Sequence, residues 1–96
     1  MKKSEIEPEF WARADKIIDM ANEQVNGSTI GKVSASLQYG TARFCAYNVA
    51  VASANAADMK RDRENAINYF TDQFKKMLTE NIDDYIANYE SFRPHD

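Results

Sequence analysis

The side chains able to do chemistry are few. Cys45 is the single cysteine and His95 the single histidine of the 96 residues. A cysteine nucleophile needs a base and an electropositive setting to form its thiolate. Cys45 has Phe44, Ala46 and Tyr47 as neighbours, and His95 lies almost at the chain's end. Cys45 therefore reads as a small, partly buried hydrophobe, and one cysteine excludes both an internal disulfide and a multi-cysteine zinc site. A di-metal helical bundle requires Glu-x-x-His pairs facing inward. None occurs, and the acidic pairs Glu7/Glu9 and Asp83/Asp84 fall on faces that read as solvated. "GSTIGKVS" lacks the spacing of a phosphate-binding loop and "GTARF" is no nucleophile elbow. Ser34, Ser36 and Ser53 fall within a helical pattern and suit close packing. No catalytic residue, metal or cofactor is expected, and the protein reads as a non-enzyme.

Two polar residues stand out against this background. Arg43 is the only charged residue between Lys32 and Asp58. It is a candidate anchor for an anionic ligand or a partner's carboxylate, with Asn48 and Tyr39 close by in the pattern. An ion pair with a carboxylate of a later helix, or extension of its aliphatic stem towards water, would also account for it. Tyr85 and Tyr89, with Tyr69, are candidates for an aromatic slot. Aromatics at helical spacing more commonly serve as core or interface.

The elements that position these residues are helical. The chain has only three glycines and two prolines, 44% hydrophobic residues and a formal charge of −3. A chain this long buries roughly 65% of its unfolded surface in a single core. The acidic balance argues against nucleic acid, since even the most basic window, "MKRDREN", is interrupted by acids. "MKKSEIEPEFW" lacks the apolar core of a signal peptide. The longest uncharged run, Phe44 to Ala57, is fourteen residues and too short and polar to span a bilayer. The expected location is the cytoplasm.

Pro8 opens a first helix, in which Phe10, Trp11, Ala14, Ile17, Ile18, Ala21 and Val25 form one apolar stripe; Gly27 stops it. Ser28 or Thr29 caps a second helix. Asn55 caps a third, with a stripe of Ile67, Phe70, Phe74, Met77 and Leu78. Asn81 reads as the cap of a short fourth helix, with a continuous bent helix as the alternative. The expected helices are about 8–26, 30–53, 56–79 and 82–91, with a tail at 93–96. The fold class is all-α: one domain, an antiparallel three-helix bundle with a short fourth C-terminal helix.

Four segments, "FWARADKIIDMANEQV", "GKVSASLQYGTARFCAYNVA", "MKRDRENAINYFTDQFKKML" and "TENIDDYIANYESF", together resemble a family of short bacterial proteins, domain of unknown function 3144. The resemblance runs from about Phe10 to Phe92. It implies a bacterial, cytoplasmic, all-helical protein and supplies no catalytic residues.

Helix two is the unusual element. From Gly31 to Ala57 only Lys32 and Arg43 are charged. Ile30, Val33, Leu37, Gly40, Phe44, Tyr47 and Val51 form a face of mostly large side chains. Ala35, Tyr39, Ala42, Ala46, Val49 and Ser53 form a mostly small face pointing nearly the opposite way. A helix apolar on two sides needs two packing partners. The large face is expected between helices one and three. The small face spans about 27 Å, and a ten-residue fourth helix covers about 15 Å of it. The sequence therefore predicts a homodimer through helix two, with these six small-face residues as the interface. A monomeric bundle, in which helices one and three cover that face, is the alternative. Function is then expected to be self-assembly or binding of another protein, against a small-molecule-binding bundle with a pocket near Arg43.

Overall fold

The computed structural model describes residues 7–92. It contains four helices in chain order: α1 (Pro8–Val25), α2 (Ile30–Ala52), α3 (Ala56–Ala87) and α4 (Tyr89–Phe92). No strand occurs among the described residues. The chain divides into two units at Phe44/Cys45, within α2; the expected tail at 93–96 lies outside the described residues.

In the first unit, Pro8 occupies the opening turn of α1, where its missing N–H costs nothing. The Arg13 guanidinium donates to the Glu7 carboxylate at 2.6 Å across that turn. The stripe residues Phe10, Trp11, Ala14, Ala21 and Val25 are half-buried, while Ile17, Ile18 and Met20 are exposed. Gly27 ends the helix with φ +85, a left-handed conformation that side-chain-bearing residues adopt only at a cost. Thr29 then starts α2, its hydroxyl accepting from the Lys32 amide at 3.2 Å. Thr29, of the two candidate caps, is the one in use.

In the second unit, the Asn55 side chain accepts from the Asp58 amide at 2.9 Å and begins α3. This helix does not stop near Thr79. It runs 32 residues, about 48 Å, to Ala87. The reason lies in the residues that looked like a boundary. The Thr79 hydroxyl donates to the Lys75 carbonyl and the Asn81 amide to the Met77 carbonyl, each at 2.7 Å. Both side chains bond back one turn upstream, and Asn81 caps nothing. Without Gly or Pro in "TENIDD", nothing there interrupts the ladder. The break falls at Asn88 (φ −117, ψ 27), whose side chain donates to the Asp84 carbonyl at 3.0 Å and to its carboxylate at 2.9 Å. The expected fourth helix at 82–91 is thus divided: its first six residues belong to α3, and α4 is a single turn.

No described residue is buried. The large face of α2, expected between helices one and three, has Ile30, Phe44, Tyr47 and Val51 all exposed.

Candidate functional site

Phe44 and Ala46, two residues apart, point about 200° apart around α2. Both are exposed, and so are the residues that share their sides. On the large side Phe44 is 72% exposed, with Leu37 at 40%. On the small side Ala35, Ala42 and Ala46 are exposed and Tyr39 is 72% exposed. Val49 and Ser53, at the C-terminal end of the small side, are half-buried, and the Ser53 hydroxyl donates to the Val49 carbonyl at 2.8 Å. A Cβ added at Gly40 would meet no atom within 4 Å, so nothing among the described residues requires glycine there for space. The structure therefore leaves most of both α2 faces open, with neither one covered as core.

Arg43 and Asn48 are exposed. The ion pairs Arg13–Glu7, Arg61–Asp58 and Arg63–Glu64 are local, and none of these includes Arg43. Cys45 is a free, half-buried thiol. Among the described residues no cluster of three or more His, Cys, Asp or Glu side chains is arranged to hold a metal, and no helix is long and apolar enough to cross a membrane.

A groove of about 430 Å³ lies in the first unit between α1 and α2. Its apolar lining comes from Ile17, Met20 and Ala21 on one helix and Val33 and Leu37 on the other, with Lys32 as its charged residue. Tyr39, Arg43 and Asn48 are not among its lining residues. The groove was not singled out by residue spacing. Its signal is the pair of apolar stripes flanking the Gly27 turn, which reads equally well as two faces packed together.

The aromatic cluster of the second unit also differs from the expected one. Tyr85 and Tyr89 stack edge-on against Phe92, at 4.6 and 5.1 Å between ring centroids. The turn at Asn88 brings Phe92 back to Tyr85. Tyr69 is not part of this cluster: it meets Phe70 at 5.1 Å and accepts a hydrogen bond from the Gln73 amide at 2.9 Å. The three clustered rings remain exposed and enclose no slot.

The protein family of unknown function DUF3144 matches residues 10–86. No curated protein matches the chain. Among solved structures, the NMR structure of the protein NB7890A from Shewanella sp is similar with a TM-score of 0.74 and 34% identity, over 92% of this chain and 94% of that one.

Proposed function

The chain belongs to the DUF3144 family, and we propose that it works by association, as a non-catalytic, cytoplasmic bacterial protein whose helices complete their packing against a second copy. The observation that carries this reading is the exposure of both faces of α2. Burying an Ile or Phe side chain is worth about 1.5–3 kcal/mol, and a lone chain forgoes most of that at Ile30 and Phe44 on the large face, while Tyr39 on the small face is as exposed as Phe44. Nor can α4 repair the deficit, since four residues span only about 6 Å against the 27 Å of the small face. Ala35, Tyr39, Ala42, Ala46, Val49 and Ser53 are the proposed subunit contact, a self-complementary one about a two-fold axis. The antiparallel bundle that the periodicity predicts is then finished between chains.

The test is light scattering on a sizing column over a wide concentration range. Wild type is expected as a dimer. Ala46→Glu is expected to yield monomers that stay helical by circular dichroism. A wild-type monomer at every concentration would overturn the reading.

A second reading rests on the groove between α1 and α2. An apolar trough of this size with Lys32 at hand suits a small apolar anion, which puts the ligand site beside α1 and away from Arg43 and Asn48. A thermal-shift screen of fatty and aromatic carboxylates tests it. A shift abolished by Leu37→Asp supports it, and no shift across the screen counts against it.

A further inference from the structure

The continuous α3 carries a second surface, distinct from α2. Ala66, Ile67, Phe70, Phe74, Met77, Leu78, Ile82 and Tyr85 fall within about 80° of one line along the helix. This stripe is about 28 Å long. Ala66 and Phe70 are half-buried, and the rest are exposed, among them Phe74 at 48% and Leu78 at 46%. Had the helix broken at Asn81, the stripe would have been two short pieces. In the uninterrupted helix it is one seam.

Charge is distributed unevenly about the seam. The segment from Glu80 to Glu90 holds Glu80, Asp83, Asp84 and Glu90 and no basic residue, a net of −4. At the other end Lys60 and Arg63 lie on the seam's own face, and Lys75 and Lys76 stand at its middle. Two copies paired in parallel would set Asp84, the acid at the seam's edge, towards its own mate. Paired antiparallel, it meets the end bearing Lys60 and Arg63.

We infer that α3 pairs with α3 of a second copy in antiparallel register, the two-fold axis passing between Lys75 and Lys76. This inference rests on the proposal that the chain self-associates, and adds the element and its direction. With that axis Asp84 comes opposite Ile67 and Arg63 opposite Asn88. The Arg63 side chain, reaching one turn, then meets Asp84 of the other chain. Among the described residues Arg63 pairs with its neighbour Glu64, in water, and such a pair holds it weakly. The Asp84 carboxylate accepts from Asn88, which leaves its second oxygen for a guanidinium. Lys75 meets its own mate near the axis, at the solvated edge of the seam, where screening limits the repulsion.

The experiment uses single spin labels on the outer side of α3 in the full chain with Cys45→Ser: Asn65→Cys, Lys76→Cys and Asp83→Cys. The antiparallel pair separates labels along the axis by about 32 Å at 65, almost nothing at 76 and about 22 Å at 83. Distances that rise away from 76 are the expected result. Equal distances at all three positions mean parallel helices and overturn the inference. Long distances at all three, in a chain that light scattering still finds dimeric, remove α3 from the interface while leaving the association through α2 intact. A monomer removes both. Charge exchange gives an independent check: Arg63→Asp and Asp84→Arg should each weaken the dimer about tenfold, and the double exchange should recover most of that loss. Additive losses in the double variant would overturn the pairing.

Discussion

Helices α2 and α3 solve the same problem with opposite compositions. Over 23 residues α2 carries two charges and presents apolar side chains on opposite sides. Over 32 residues α3 carries charges throughout, all but a few kept off one seam. A one-sided helix can lie on the outside of an assembly, with water on its charged side. A two-sided helix has no side to give to water, so it belongs inside. Charge distribution thus distinguishes the two helices even where, as here, the single chain leaves most of both exposed.

This contrast breaks most sharply at Phe44. In the single chain its ring is 72% exposed, and Phe44→Ala should then change little, within about 0.5 kcal/mol. Inside an assembly the same change removes a buried ring and costs about 3 kcal/mol. The expected outcome is the larger one, roughly a hundredfold rise in the dimer dissociation constant by sedimentation equilibrium. A value unchanged from wild type would mean that the large side of α2 faces water in solution too.

Gly40→Ala sharpens the comparison at lower cost. Alanine is better than glycine inside a helix by about 1 kcal/mol, and in this chain the new methyl meets nothing. Yet α2 keeps a glycine at its centre, where α3 has none. Close approach of another helix on the large side of α2 is the reason we propose for it. Gly40→Ala is expected to make the dissociated chain more helical and the dimer about tenfold weaker, two effects of opposite sign in one variant. A variant more stable at every concentration would show that no helix rests there.

Local signals were legible in the sequence wherever one residue acts on its own backbone. Pro8, Gly27, Thr29 and Asn55 all do what their types suggest, because a cap or a left-handed turn depends on atoms three or four residues away. Asn81 misled for a related reason. Asparagine can cap a helix or bond back into one, and the choice depends on whether the backbone stays helical there. Alternating stripes showed which sides of α1, α2 and α3 are apolar. They could not say what covers them, since a seam that packs in its own chain and one that packs on a neighbour have the same periodicity. The same periodicity therefore fits a bundle core and the exposed faces of the single chain alike, and the groove beside Lys32 carries no spacing signal of its own.

The smallest expected effect tests the outer side of α3. Arg61 lies on the solvated flank, paired with Asp58 one turn before it, both on the helix's first turns. Exposed pairs at this spacing contribute about 0.3–0.5 kcal/mol, so Arg61→Gln should lower the melting midpoint by a degree or two at most. It should leave the dimer dissociation constant unchanged. Arg63, only two residues away but on the seam, is expected to be sensitive to the same kind of change. On α2 the equivalent pair of positions, Phe44 and Ala46, should both be sensitive. A silent Arg61 beside a sensitive Arg63 would make α3 one-sided in function as well as in composition. If Arg61→Gln weakened the dimer as much as Arg63→Gln, charge along the whole helix, and not one seam, would be holding the copies together.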